Sequence, residues 1–531
     1  MQRRSRVGAN PLPGHSGEAC PPPRRGSGNP LPAALLLAAI LVASSPASAQ
    51  VITGLPPFGS FSGGPDIVNN ANLNVHLQIP ILTKAGRGLP LYYALTYESA
   101  VWYPSSASGT NAWTPTGDWG WGTVSQPEVG SVTYSWSQGL CTDLQGNGYY
   151  YDIYSNWVYY DSLGASHSIN PNWKVSDQSV VAPNCHAKGP PYNQQAAVTD
   201  GSGYTLAISA APAATVTTRS GTVIQPVIGS QSVSATDANG NQITYNGTSF
   251  TDTLGTTALT VSGIAPNPTT FTYTNPQDNT SHFTMNYVQK TVRTDFGCSG
   301  VAEFGPTSQY LVTSITLPDN TSYQFTYEET PGDTHNPHYV TGRIASITLP
   351  QGGTISYQYA GSNNGIVCTD GSTATLKRFT PDTGSNYWQY AHSESGTAWT
   401  TTITDPQNNQ TVMNFQTIYE TERQVAGLET VVTCYNNNPN PCTNSSNNTA
   451  VGLPITQQTV MTTVGSLTAE TNTTYNEYGL PSEVDEYDYG PTLVRKTLTT
   501  YASLGNDIYD HPSTIQVENA SGTVVAETDF Y

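Results

Sequence analysis

Charged side chains are scarce in this 531-residue chain, making up 10% of it, against ~25% in ordinary soluble domains. Lysine occurs six times and methionine four. Helical bundles and coiled coils draw their surface and seam from Lys, Glu, Leu and Met, so the shortage excludes both. It equally excludes a disordered chain held open by its own charge. Basic residues are the rarer sign: of 18 Lys and Arg, five fall within residues 1–49 beside a single acid, Glu18. The remainder carries 13 basic and 36 acidic residues, a formal −23. Such a surface repels phosphate backbones and anionic bilayers, so nucleic acid and membrane surfaces are not expected partners.

Long apolar runs are missing too, with one exception. Residues 31–43, Leu-Pro-Ala-Ala-Leu-Leu-Leu-Ala-Ala-Ile-Leu-Val-Ala, follow Arg24 and Arg25 and precede Ala47-Ser48-Ala49, an A-x-A cleavage pattern. The run is shorter than the ~20 residues that span a bilayer. Residues 1–49 therefore read as a secretory signal peptide cleaved after Ala49, with a single-pass anchor as the alternative. The product is expected to be secreted or held in the cell envelope, free of the membrane once the signal is cleaved.

Export governs how the cysteines are read. Beyond Cys20 there are six: Cys141, Cys185, Cys298, Cys368, Cys434 and Cys442. An even number in an oxidising compartment points to disulfides, with 15 connectivities open. Cys434 and Cys442 flank a loop of Asn and Pro, the pairing most directly suggested; sequential pairing would add Cys141–Cys185 and Cys298–Cys368. Free thiols are the alternative. Zinc competes poorly, since no C-x-x-C or neighbouring His pair supplies tetrahedral ligands.

What the chain has in abundance is Tyr (33), Gly (48), Thr, Ser and Asn, strand formers and turn formers together. Apolar residues alternate with period two, as in Asn74–Ile79 and Leu91–Tyr97, the signature of half-buried strands. Internal repeats follow. Ser314–Tyr327 reads SITLPDNTSYQFTY, Ser346–Tyr359 reads SITLPQGGTISYQY, and Thr402–Phe415 reads TITDPQNNQTVMNF; Ala235–Tyr245, ATDANGNQITY, is a shorter relative. A β-branched strand enters, Pro sets the first corner of a turn, Gly or Asn takes a left-handed position, and an aromatic strand returns. Each copy is one β-hairpin. Isolated hairpins are marginal in water, so the copies are expected to stack.

A second pattern, Tyr-[Asp/Asn]-x-x-Gly, occurs at Tyr160–Gly164 and Tyr475–Gly479. With these motifs the chain resembles the RHS/YD-repeat family of large secreted bacterial proteins. Asp66–Ser99 resembles the lead-in segment before the repeats, and Trp119-Gly-Trp121-Gly122 its tryptophan-rich continuation. Tyr159–His167, Thr199–Tyr204, Thr236–Asn241, Asn472–Tyr501 and Ser513–Tyr531 are similar to family hairpins. The resemblance implies an all-β fold, a ribbon of stacked hairpins spiralling into a partial shell. It divides the chain into a β-rich lead-in or cap over 50–130 and repeats over 131–531, with truncation at the C-terminus and a natural end at 531 both open. It implies a scaffold, adhesion or carbohydrate-binding role, with surface glycans as partners. The alternative it offers is the N-terminal shell portion of a polymorphic toxin, whose partner would be a downstream core and toxin segment. The chain departs from the family by lacking a P-x-x-x-x-D-P-x-G-L-like core segment; its one Asp-Pro, Asp405-Pro406, belongs to a hairpin turn. An open sheet edge near Tyr531 suggests self-association.

No catalytic residue, cofactor or metal is expected. G-x-S-x-G, H-E-x-x-H and Walker patterns are absent. Ser166-His167 reads as a surface pair on a hairpin, His392-Ser-Glu394 as polar strand or loop, and Asp237-Ala-Asn239-Gly240-Asn241 as a turn rather than a calcium loop. A glycoside hydrolase or lyase is the second alternative, because it needs only two carboxylates. Glu328-Glu329, Glu420-x-Glu422 and Asp485-Glu486-x-Asp488 are the clusters available; acidic residues guarding strand edges explain them equally well. Trp102, Trp113, Trp119, Trp121, Trp136 and Trp157 are expected to fill a cap core, with sugar stacking as the other reading. Tyr323, Tyr327, Tyr357 and Tyr359 form a cross-strand comb. Asn246, Asn279, Asn320 and Asn472, each in an N-x-S/T sequence, read as turn residues.

Overall fold

The period-two alternation becomes strand almost everywhere in the computed structural model. It describes residues 51–531 except 87–88, 108–109, 127–129, 162–164, 187, 192, 211, 229–232, 440–441 and 443–449. The expected signal peptide with its cleavage site, and residues 162–164 of the first Tyr-Asp motif, lie outside the described residues. No helix among the described residues is long and apolar enough to cross a membrane.

One sheet of 26 strands runs from Gln194–Ala197 to Val524–Asp529. Its strands follow in chain order, each antiparallel to the next; a single short strand, Val301–Ala302, steps aside to pair with Thr110–Pro115. The all-β ribbon of stacked hairpins is therefore observed. The repeat turns have the anticipated chemistry. Leu317 N donates to Thr321 O at 2.8 Å and Asn320 N to Leu317 O at 3.0 Å. Pro318 sits at the first corner, and Asn320 is left-handed at φ 67°. This is a three-residue loop with a type I turn closed by a bulge. Gly352 (φ 87°) and Asn408 (φ 68°) repeat it. Where Leu gives way to Asp or Asn, the side chain ties the turn: Asp237, Asp252, Asp405, Asn476 and Asn519 each accept backbone N–H bonds from the residues two and four ahead.

The tyrosines close the hairpins from the other end. Tyr327, Tyr359 and Tyr435 donate their hydroxyls to the carbonyls of Val312, Ile344 and Glu420. Each bond reaches back 15 residues, so it records the repeat geometry.

A second sheet has the order Phe61–Gly63, Asp66–Asn69, Val75–Lys84, Leu91–Glu98, Trp121–Gln126. It lies on the apolar face of the long one, and the two share a core from Val68 to Ile418. Trp102, Trp113 and Trp121 are buried in that core. They face the middle of the ribbon: Trp121 stands edge-on to Phe325 at 5.0 Å, and Trp102 Nε1 donates to Thr341 O at 2.8 Å. The lead-in segment is thus a lining layer along the middle of the ribbon, whose strands from Ile243 to Ile418 offer apolar residues to cover. Residues 131–176 form a separate four-stranded sheet around the long hairpin Ser131–Thr142/Gly148–Tyr160. Trp157 fills a second core there, with Leu206, Val216 and Ile224 from the first strands of the ribbon.

The ribbon curls far enough to meet itself. Arg219 O accepts from Tyr509 N at 2.8 Å, and the Arg219 guanidinium reaches Tyr478 O. Tyr478 and Tyr509 stack at 3.9 Å. Only glycine fits one approach here, since a Cβ on Gly479 (φ 69°) would lie 1.6 Å from Gly201 O.

All three sequential disulfides form: Cys141–Cys185, Cys298–Cys368 and Cys434–Cys442.

Candidate functional site

The lining sheet is narrower than the face it covers, and its first edge strand, Phe61–Gly63, leaves part of the ribbon bare. The register shows which side chains emerge there. Tyr357, Arg378 and Trp388 are cross-strand neighbours. Beside them runs the row Tyr390, Ile403, Thr411, Val425 and Glu429, then Met413 with Arg423. Directly opposed residues share a face, so these project toward the lining sheet. They enclose a groove of about 490 Å³, closed on one side by Ser62–Pro65. A second hollow of about 450 Å³ continues it past Asp405, Asn409 and Leu428. Trp388, Ile403, Thr411 and Val425 line both.

The groove edge is pinned by a buried ion pair. Asp66 has no exposed side-chain surface and Arg378 has 5%. Arg378 Nε donates to Asp66 Oδ2 at 2.7 Å, and one terminal nitrogen reaches the other oxygen and also Gly64 O. Tyr357 adds its hydroxyl at 2.7 Å. Farther along, Arg423 donates to Glu420 at 2.9 Å, and Glu420 also accepts from Ser60. Asp382, on the rim, is held below the usual carboxylate range by its hydrogen bond to Thr380. A general acid needs the opposite shift. An indole between two hollows, with paired guanidiniums and the polar residues Asp382, Asp405, Asn409 and Glu429 around it, suits stacking on a sugar ring and bonding its hydroxyls.

The carboxylate clusters singled out in the sequence are engaged elsewhere. Glu328 is bidentate with Arg343, while Glu329 is exposed. A bulge at Thr421 places Glu420 opposite Phe415 and Glu422 opposite Asn414, adjacent partners whose side chains take opposite faces. Asp485 stands opposite Lys496 and Glu486 opposite Arg495, with ion pairs to both; Asp488 is exposed. These strands lie inside the sheet, so cross-strand pairing, not edge protection, explains the acids.

Ser166-His167 is not a surface pair. His167 is 1% exposed, 2.6 Å from Asp200 and 3.3 Å from Asp161, with Ser202 Oγ at 3.0 Å. Burial alone would lower its pKa; the bonds and charges of Asp161 and Asp200 outweigh that and raise it to about 9. Ser202 and Asp200 meet the same ring nitrogen, Nδ1, and Ser202 donates its hydroxyl to Asp200, so the three do not form a nucleophile–base relay. His392 and Glu394 share one face of strand Trp388–Ser395 at 3.1 Å, as polar strand residues. Asp237 accepts from Asn239 N, Asn241 N and Asn241 Nδ2, a turn whose carboxylate is taken. Asn246 and Asn320 are turn residues, and Asn279 follows the turn at Asn275; Asn472 instead lies within strand Leu467–Tyr475. Among the described residues no three His, Cys, Asp or Glu are placed to hold a metal ion.

Of the six tryptophans clustered in the sequence, Trp136 alone is mostly exposed, at 56%, on the long hairpin with Leu140 and Tyr150. Trp119 rims a second cavity. Trp388, Arg378 and Arg423 went unnoticed in the sequence; the signal available was Arg378 on one strand and the alternating pair Trp388 and Tyr390 on the next, which has meaning only once their register is known. No protein-family profile matches the chain, and no curated protein is significantly similar to it.

Proposed function

We propose that this chain is an extracellular, non-enzymatic scaffold of the RHS/YD-repeat type that binds carbohydrate in an adhesive role, through the groove at Trp388. The observation that carries the reading is the groove itself: two connected hollows sharing one indole, with polar and charged groups on every side. Sugar sites combine these features, an apolar face for the ring and fixed donors and acceptors for its hydroxyls. The three disulfides fit an oxidising location outside the cell. The test is a glycan panel probed with the purified protein and with Trp388→Ala. The reading expects a defined set of glycans to bind, with affinity at least about tenfold weaker in the variant. Binding of none, or binding indifferent to Trp388, would overturn it.

A second reading, the N-terminal part of a toxin shell, draws support from the way the ribbon returns to its own first hairpins. It expects the protein to co-purify with a downstream core segment expressed from the same locus.

A further inference from the structure

The opposite edge of the lining sheet, Trp121–Gln126, leaves a second gap over the ribbon, and its chemistry differs from that of the groove. The cavity there is about 350 Å³, near the lower end of ligand pockets. Trp119, Trp121, Tyr245, Tyr287, Tyr310 and Phe271 line it, on five separate chain segments. Asp118 is the one charged residue in its wall. The groove has its guanidiniums paired with carboxylates; here an exposed carboxylate stands at the rim of an aromatic wall with no ion-pair partner among the described residues.

The backbone that presents these groups is held at a cost. Asp118 (φ 49°), Trp119 (φ 56°) and Gly120 (φ 82°) form a left-handed run. Non-glycine residues pay about 1–2 kcal/mol each for that conformation, and such strain gathers at binding sites. Packing holds the run in place. Trp119 abuts Trp102 at 5.7 Å and Phe304 at 6.1 Å, and a Cβ on Gly342 would come within 2.9 Å of its ring. The Tyr287 hydroxyl is satisfied within 2.8 Å of Thr269 Oγ1. Burial, with Asp118 adding to it, raises this phenol's pKa, and the neutral ring lines the cavity.

We propose that this cavity binds an alkylammonium cation, a quaternary ammonium head or N-methylated amine, between the aromatic rings with Asp118 as counter-charge. Ring faces carry negative potential and attract a cation most strongly when its hydration is soft, as methylation makes it. The formal −23 of the chain beyond residue 49 adds a favourable field. The inference stands apart from the sugar groove, which lies at the other edge of the lining sheet.

The test is titration of the full protein with choline, followed by tryptophan fluorescence and calorimetry, beside its neutral isostere 3,3-dimethylbutan-1-ol. Choline is expected to saturate one site and to bind at least about tenfold tighter than the isostere. Asp118→Asn, which tolerates positive φ, is expected to weaken choline about fivefold or more while leaving the isostere unchanged. Tyr310→Ala, at a ring already 41% exposed, is expected to weaken choline without unfolding the chain. Phosphatidylcholine vesicles, as a separate arm, distinguish a lipid headgroup from a free solute. Equal affinity for choline and its isostere, or a choline titration that never saturates, overturns the proposal.

Discussion

Replacing Arg378 by Met tests whether the lining sheet is locked to the ribbon through one buried ion pair. Asp66 loses two of its three donor contacts and keeps only the Tyr357 hydroxyl, in a site with no exposed carboxylate surface. Breaking such a pair by removing one partner costs about 3–5 kcal/mol, because the remaining charge is buried unpaired. The double variant Asp66→Leu/Arg378→Met removes both charges and leaves the buried Tyr357 hydroxyl unsatisfied, at about 1–3 kcal/mol, while Gly64 O, on an exposed residue, turns to water. Adding Tyr357→Phe removes that last polar group, so the triple variant is expected near the parent stability. Guanidinium unfolding, followed by near-ultraviolet circular dichroism and tryptophan fluorescence, reads all three. A single variant costing under about 1 kcal/mol, or a triple variant as unstable as the single, would refute the reasoning.

Loss of the Cys298–Cys368 bridge, with sequence separation 70, is expected to cost about 4 kcal/mol. Loss of Cys434–Cys442, with separation 8, should cost nearer 2.5 kcal/mol, and paired Cys→Ser melts measure both. The raised pKa of His167 makes its ion triad a source of stability below its unfolded value of about 6.5, lost as pH climbs through about 9. The Tm gap between the parent and His167→Gln is therefore expected to be wide at pH 6 and to close by about pH 9.5; by linkage the contribution is at most about 3 kcal/mol. A gap that does not change with pH counts against the triad. Gly479→Ala should separate the first hairpins from the late ones, seen as faster hydrogen exchange at 201–203 and 506–509 with the mid-ribbon strands unaffected.

The hairpins were legible because their causes are local. Pro318 and Asn320, or Asp237 and Gly240, encode a turn within five residues, and the flanking alternation encodes the strands. The Cys434–Cys442 pair is local for the same reason, whereas Cys298–Cys368 spans 70 positions and two hairpins. The candidate site was not legible. Trp388 draws its place from Arg378 across one strand pair and from Gly64 and Asp66 more than 300 positions earlier. His167 looked like a surface residue because Ser202 and Asp200 reach it across a turn 33 to 35 residues away.

Composition, alternation and the repeated turn motifs thus decided that this chain is an array of β-hairpins with a polar, acidic surface, and the even cysteine count pointed to disulfides. Those are properties of short windows, where backbone propensity and side-chain period act without help from distant residues. Tertiary structure decided what covers the ribbon and what it leaves open. The lining layer buries Trp102, Trp113 and Trp121 against the ribbon, pairs Asp66 with Arg378 across 312 positions, and stops short at both edges. Cavities arise from that mismatch in width between two packed layers. No window of sequence contains both layers, so neither site could be read until the sheets were laid together.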